Sequence, residues 1–490
     1  MNKKDLLRER FSSKPERYYE VETFREKGYE RKRCKCGRWF WTLDPERETC
    51  PDSTCQRYEF LGNPPTSRRL SYVDSWRTIE DFFVKNGHTS IERYPVLCRW
   101  FPSLYFTAAS IVAFYRQEHG HVSFEMPANP LIIPQRCLRF VDIPNVGVTG
   151  RHYTGFVMIG QHSINDGKNG YWKDECVAYD QELLEGPLGI PEEKIVWMED
   201  VWVGPSAFGA SLEYYVDGLE LGNAVFTEFL GTPDNYVRMK QPVIDMGAGL
   251  ERFAWLSQGT PSGYEAVFGD LVKKMKAESG IDYDEDLFLS YSRLAGSMDY
   301  SEVADISRVK ADIARQLGLE VEQLEVAVRP FEAIYAIADH VGSLTYAIAD
   351  GGLPSNVGGG YNLRVILRRA LAFIDEFQFP FDLVDVSTWY AEQMYPMSPE
   401  LKERLPEISR ILEVEERRYR SALARARRRV STLLRKRSSF DTDELTRLYE
   451  SEGITPELIQ EAARREGKKV ELPTDFYSRT TGRHLSLIHI

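Results

Sequence analysis

Two segments rich in arginine and glycine constrain this chain more than its composition does. The first, Gln135 to Ile164, reads QRCLRFVDIPNVGVTGRHYTGFVMIGQHSI, and the second, Ile244 to Phe253, reads IDMGAGLERF. In the first, Arg139 leads a loop rich in Gly and Asn, which Arg151 and His152 close. In the second, Arg252 follows Gly247 and Gly249. Arginine stays charged and forks its donors onto phosphate oxygens, while glycine lets the backbone come close to a ligand. Together the two segments suit a nucleoside triphosphate. They do not suit a dinucleotide, because GAGLER lacks the third glycine and has no strand-to-helix βαβ setting with a later acidic residue. Either segment alone would read as a tight turn beside a solvated arginine.

The remaining sequence sets limits. A chain of 490 residues is long enough for two or more domains with sizeable cores. No run of eighteen apolar residues occurs, and the charged start MNKKDLLRERFSSKPERYYE has no apolar core, so neither a membrane span nor a secretory signal is expected. A cytoplasmic chain is the expectation. Seven cysteines, four of them clustered, point to thiols and metal binding in a reducing compartment rather than to a disulfide framework. The net charge of −12 excludes a general nucleic-acid coat protein. Any RNA contact must come from a local basic surface.

Cys34, Cys36, Cys50 and Cys55 lie in CKCGRWFWTLDPERETCPDSTC. Four thiolates in so short a stretch suit a tetrahedral zinc site; buried or free structural thiols are the other reading. Residues 1–65 are read as an N-terminal segment with this cysteine-rich module, ended by the Asn63-Pro64-Pro65-Thr66 linker. A helix is expected from Ser71, capped by Asp74 or Ser75, with Trp76, Ile79, Phe82 and Phe83 as its apolar stripe and Gly87 as its stop. Strands are expected at 90–97, 130–141, 153–159, 194–201, 223–230 and 236–246. Residues 66–262 then form an α+β catalytic domain on a largely antiparallel sheet. From 263 to 472 the periodicity is helical. Ile334 to Ile348 is apolar on nearly every side and encloses Asp339 and His340; His340 is read as a satisfied core histidine. Arg417 to Arg437 carries ten basic residues and no acidic one, with Tyr419, Leu423, Ala426, Val430 and Leu433 stepping by three or four. Such a helix packs by one face and offers the others to an RNA backbone, or else is simply solvated.

The two arginine-glycine segments resemble motifs two and three of class II aminoacyl-tRNA synthetases. Further pieces narrow the resemblance to the archaeal type of the alanyl-tRNA synthetase family, from about residue 20 to about residue 484. They are FFVKNGHTSIERYPV (82–96), YFTAASI (105–111), GLELGNAVF (218–226), AIADHVGSLTYAIADGGLPSN (336–356) and GYNLRVILRRAL (360–371). The resemblance implies a class II antiparallel sheet with flanking helices, then an all-α tRNA-recognition domain. It implies ATP with Mg²⁺, L-alanine and tRNA(Ala) as partners, and it supports Zn²⁺ at the cysteines. By the same resemblance Arg139 holds the α-phosphate and the alanine carboxylate, and His152 and Arg252 hold the β- and γ-phosphates. Arg151, Phe156 and Gly249 complete the ATP contacts. Asp245 takes the α-ammonium group, with Asn223, Gly247 and Trp202 lining the pocket. Asn356 and Glu450 read the wobble G·U pair of the acceptor stem, Glu450 standing where the family has Asp, and Arg425, Arg428 and Arg429 are assigned to the RNA backbone.

Two departures favour a rival reading, a weakly active or inactive paralogue that binds tRNA or another RNA. Val157 replaces a family carboxylate in FVM, and Ala207 stands where Asn is usual. A methyl pocket discriminates poorly against glycine and serine. The family's hydrolytic editing centre has no match after residue 264. Residues 473–490 are read as a truncated linker toward a missing editing domain, ending in a foreign LSLIHI tail. A monomer is the default.

Overall fold

Short apolar runs between turn residues pair into one nine-stranded sheet. Its strands come from β1 (Glu30–Arg33), β2 (Trp39–Thr42), β3 (Thr89–Ser90), β6 (Leu131–Leu138), β7 (Gly155–Ile164), β8 (Ile195–Val203), β9 (Ala207–Val216), β10 (Leu219–Thr232) and β11 (Asn235–Gly249). A separate hairpin pairs β4 (Tyr115–Glu118) with β5 (His121–Phe124). The computed structural model describes residues 3–118, 121–204, 206–295, 298, 306–473 and 476, so nearly all of the 473–490 segment, with its LSLIHI tail, lies outside the described residues. The sheet order is β1-β2-β8-β9-β10-β11-β7-β6-β3. Pairing is antiparallel from β1 through β7, and β3 lies parallel to β6. The expected α+β class with a largely antiparallel sheet is what forms. Among the described residues no helix is long and apolar enough to cross a membrane.

The chain packs as two compact units. The first takes Met1–Tyr94, Ala108–Cys137 and Phe156–Val267; the second takes Pro95–Thr107, Leu138–Gly155 and the chain from Phe268 onward. In the first unit the cysteine hairpin continues the sheet, because β2 pairs with β8 through Phe40↔Met198 and Trp41↔Trp197. Cys34, Cys50 and Phe40 pack there against Val196, Met198 and Tyr215. Beside this edge runs α1 (Lys3–Ser12), whose Lys4 and Arg8 reach Asp200 at 2.9 and 2.7 Å.

One face of the sheet is covered by α2 (Tyr72–Lys85), α3 (Lys173–Glu185) and α4 (Leu250–Gln258). The α2 cap is Ser71 rather than Asp74 or Ser75: its hydroxyl accepts from the Asp74 N–H at 3.1 Å, which satisfies one of the otherwise orphaned first-turn donors. Trp76, Ile79 and Phe83 are buried as the periodicity requires. Just past this helix His88 is buried among Phe83, Tyr171 and Tyr179, with Nε2 2.6 Å from the Tyr171 hydroxyl. Burial pushes its imidazole down to about 4. The unfolded chain takes up this proton near the ordinary histidine value while the folded chain cannot, so stability falls as pH drops from about 6.5 to about 4. The expected loss is about 3 kcal/mol, and His88→Gln should flatten that part of a denaturant-unfolding pH series. Equal slopes for both proteins would contradict it.

The second unit is helical. Its centre is α5 (Val321–Ala349), buried continuously from Ala333 to Ala349. Against it pack α6 (Gly358–Phe377), α7 (Leu383–Met394) and α8 (Leu405–Leu434). Two shorter helices, α9 (Thr442–Glu452) and α10 (Pro456–Arg465), follow. On α8 the stripe Tyr419, Leu423, Ala426, Val430 and Leu433 is buried, as the sequence pattern predicts.

Candidate active site

Residues directly opposed on neighbouring strands share a face of a sheet, so the register alone gathers, in the first unit, the residues expected to line the alanine pocket. One row across the sheet reads Asp200, Ser211, Val225, Asp245, His162; the next reads Met198, Glu213, Asn223, Gly247, Gly160. Trp202 lies opposite Gly209, and Gly249 opposite Met158, on the same face; Phe156 shares it by its even spacing from Met158. Asp245, Asn223, Gly247, Trp202, Phe156 and Gly249 thus belong to one surface, the face away from the covering helices. Gly247 and Gly160, side by side, make room for the side chains of Met158, His162 and Ser110, which an added Cβ would meet at 2.8, 2.3 and 2.6 Å.

Polar groups on this surface are arranged for a ligand. The Asn223 side-chain oxygen and the Ser211 hydroxyl are both buried and make no hydrogen bond. Such orphaned groups cost roughly 1–3 kcal/mol each unless something supplies a partner. His162 is fully buried, and burial pushes its imidazole down to about 3. It is therefore neutral: Nδ1 lies 3.4 Å from the Ile244 carbonyl oxygen and 3.7 Å from Asp245, and Nε2 lies 3.0 Å from the Ser110 hydroxyl. Burial, then the nearby Glu220 and Asp200, push the Glu213 carboxyl up to about 8. Ser211, Glu213 and His162 were not singled out from the sequence. The period of two running Phe156, Met158, Gly160, His162 was the available signal.

Arg252 sits in the first turn of α4 and grips Glu220, its Nη1 3.0 Å from the backbone oxygen and 2.8 Å from the carboxylate. At position 249 an added Cβ would come 3.3 Å from the Arg252 side chain, a tight contact that glycine avoids. Val157, one residue from Phe156, points to the opposite, helix-covered face and is buried. Its N–H donates to Glu251 at 2.9 Å, and Glu251 also accepts from the Tyr72 hydroxyl at 2.8 Å and lies 3.8 Å from the buried Arg136. The carboxylate missing at 157 is thus missing from the face away from Phe156 and Asp245. Ala207 begins β9, opposite Leu230 and well along the strand from Glu213 and Asn223.

The arginine loop belongs to the second unit. The Arg139 N–H donates to the Thr154 carbonyl at 2.8 Å, closing the loop at its base. Inside it Gly147 has φ +91°, and a Cβ there would stand 2.4 Å from the Glu332 carbonyl oxygen. The Thr149 hydroxyl lies 2.7 Å from His152 Nδ1, which orients the ring, and it also accepts from the Arg151 N–H at 3.5 Å.

In the same unit Asn356 and Glu450, far apart in sequence, line one cavity of about 290 Å³ with Tyr361, Arg364, Arg368 and Tyr449. Arg364 is held by Glu415 through two contacts of 3.0 and 3.1 Å and donates to the Asn356 side-chain oxygen. That bond fixes the amide so that its NH₂ group is left to donate. The basic helix is less one-signed than its sequence. Arg417, Arg418, Arg420, Arg427, Arg429 and Arg437 pair with carboxylates, whereas Arg425 and Arg428 are exposed and have no ion pair among the described residues.

At the sheet edge the Sγ atoms of Cys34, Cys36, Cys50 and Cys55 lie within 4.8 Å of one another, and none is in a disulfide. The Cys34–Cys55 and Cys36–Cys50 separations are 3.8 and 3.6 Å. A tetrahedral zinc with Zn–S near 2.3 Å requires roughly 3.8 Å between sulfurs. Gly37, at φ +95°, turns the chain so that both thiols of the C-x-C pair face inward. Burial opposes ionisation of Cys34, but the Cys50 and Cys36 N–H groups outweigh it and bring this thiol down to about 6. The four thiols can hold a metal ion.

A largely antiparallel sheet, an arginine-led loop and a GAGLER helix start are the features of a class II aminoacyl-tRNA synthetase domain. The chain belongs to that family: the model described as "tRNA synthetases class II (A)" matches residues 78–487. Its similarity is to archaeal alanine–tRNA ligases. It is 46% identical over 488 residues to that of Nitrosopumilus maritimus (99% of this chain, 54% of that protein) and 39% identical over 481 residues to that of Pyrococcus abyssi (93% and 52%). The chain spans about half the length of the curated relatives it matches.

Proposed function

We propose that the chain activates L-alanine with ATP to alanyl-adenylate and transfers the alanyl group to the 3′ end of tRNA(Ala). The observation that carries this reading is the sheet face on which Asp245 and the buried, unpartnered oxygen of Asn223 stand on neighbouring strands as acceptors for an ammonium group, while Met158, His162 and Ser110 fill the space over the two glycines and leave none for a large side chain. Activation needs no nucleophilic side chain. The alanine carboxylate attacks the α-phosphorus and pyrophosphate leaves, so the protein's share is to position and to neutralise. Asp245 and Asn223 hold the ammonium end. Arg139, Arg151, His152 and Arg252 carry the phosphate contacts, and Mg²⁺, arriving with ATP, would offset phosphate charge. Cys34, Cys36, Cys50 and Cys55 would hold zinc, which would serve a structural role.

Glu450 can only accept and the Asn356 amide is left to donate, a pair suited to the free 2-amino group of guanine and the O2 of uracil in the minor groove of a wobble pair. Asn356→Ala is expected to lower tRNA charging about 10- to 100-fold with pyrophosphate exchange unchanged. An equal fall in both would remove the RNA assignment. The test of the function itself is ATP–pyrophosphate exchange with alanine, glycine and serine. Exchange that prefers alanine is expected; none with any of the three would leave the chain as an RNA-binding paralogue.

A further inference from the structure

A single buried chain of hydrogen bonds in the second unit joins the base of the arginine loop to the helix beside the Asn356 cavity. The Arg139 N–H is bound by the Thr154 carbonyl. The Thr154 N–H in turn donates to both oxygens of Asp339, at 2.9 and 3.2 Å, and the Gly155 N–H approaches one of them at 3.5 Å. Asp339 and the adjacent His340 are completely buried in α5. His340 Nδ1 lies 3.0 Å from Asp339 and 3.2 Å from the Thr154 hydroxyl, and its Nε2 lies 2.8 Å from Arg369 Nη1.

The proton positions follow from donor chemistry. A guanidinium only donates, so Nε2 must accept from Arg369, and the single ring proton sits on Nδ1, facing Asp339. Burial lowers the His340 imidazole against the pull of Asp339, and the Arg369 charge lowers it further, consistent with a neutral ring. Arg369 reaches Glu457 on α10 at 3.6 Å, and its sequence neighbour Arg368 lines the cavity with Asn356 and Glu450. An apolar helix interior gains no packing from an aspartate, a histidine and an arginine, and buried polar groups of this kind are costly unless fully satisfied. Their placement at the foot of the Arg139 loop gives them a task.

We propose that Asp339, His340 and Arg369 are positioning residues that hold Arg139 in register for adenylation and tie the loop to the helices of the RNA cavity. This rests on the assignment of Arg139 to phosphate and carboxylate. Asp339→Asn places an amide opposite the Thr154 N–H and weakens the loop's anchor. His340→Leu removes both ring contacts, and His340→Gln restores an acceptor for Arg369.

The experiment pairs alanine-dependent pyrophosphate exchange with amide hydrogen exchange on the 490-residue chain. For Asp339→Asn and His340→Leu, kcat is expected to fall about 10- to 100-fold with a smaller rise in the KM for alanine, because Arg139 also meets the alanine carboxylate while Asp245 and Asn223, which hold the ammonium end, belong to the first unit. Amides of 138–155 should exchange faster, with those of β10 and β11 unchanged, and His340→Gln should recover most of the rate. Unchanged kcat with unchanged protection at 138–155 would overturn the proposal. So would a loss of protection spread equally over both units, which marks a general loss of stability. Should the wild-type chain show no exchange with alanine, the proposed function fails, and amide exchange decides alone. Faster exchange confined to 138–155 in Asp339→Asn upholds the positioning role, and no change ends it.

Discussion

Alanine-dependent pyrophosphate exchange is expected to fall roughly 10²- to 10³-fold when Asp245 is replaced by alanine, the effect of removing one partner from a desolvated charge pair. Asp245 is 14% exposed, on β11 between Val225 and His162. His162 stays neutral far below physiological pH and so brings no positive charge of its own. On the proposed function, the α-ammonium group of alanine is the cation that Asp245 meets. The loss should appear in both KM and kcat, since the same contact sets the angle at which the carboxylate approaches phosphorus. Asp245→Asn keeps the shape and removes the charge, so it should fall between wild type and Asp245→Ala. Binding of tRNA by the helical unit should not change. Exchange by Asp245→Ala within about tenfold of wild type would place the ammonium elsewhere.

Residues whose chemistry demands a particular type were the most legible in the sequence. Arg139, Arg252 and the glycines between them stand out because phosphate contacts call for arginine and close backbone approach calls for glycine. The four clustered cysteines stand out for the same reason. Less legible was anything that depends on pairing. Strand β9 was not expected, although Phe208, Ala210, Leu212, Tyr214 and Val216 alternate along it with Gly209, Ser211 and Glu213. The 90–97 run was expected as a strand, but only its first residue, Ser90, lies in one, the two-residue Thr89–Ser90. Val157 looked like a damaged site residue until the register turned it to the helix side; a shift of one residue reverses the face, and sequence alone does not fix it. The 417–437 run looked one-signed because its counter-charges lie outside it: Glu413, Glu415 and Glu416 on the preceding turns of the same helix, Glu452 and Glu461 on other helices. His340 was legible as a buried histidine, but its partners Asp339 and Arg369 were not.

Loss of the metal should be the largest single effect on folding. Structural zinc contributes on the order of 10–16 kcal/mol in small peptides, comparable with the whole stability of a domain. Here the four thiols also form part of a packed cluster with Phe40, Val196, Met198 and Tyr215. Without a metal, mutual repulsion and burial oppose ionisation, and burial holds the Cys50 thiol well above its usual range. The β1–β2 hairpin would then release Met198 and the edge of β8. Chain prepared without chelator is expected to contain one zinc per molecule, and chelation or Cys50→Ser should lower the thermal midpoint of the first unit by roughly 10 °C or more. Cys36→Ser should cost less, because Cys36 is exposed while Cys50 is fully buried. Three thiolates and a water can still complete a tetrahedron at the outer corner, whereas nothing replaces the inner sulfur without a cavity. A folded preparation free of metal, or equal melting of wild type and Cys50→Ser, would leave the cysteines as packing residues only.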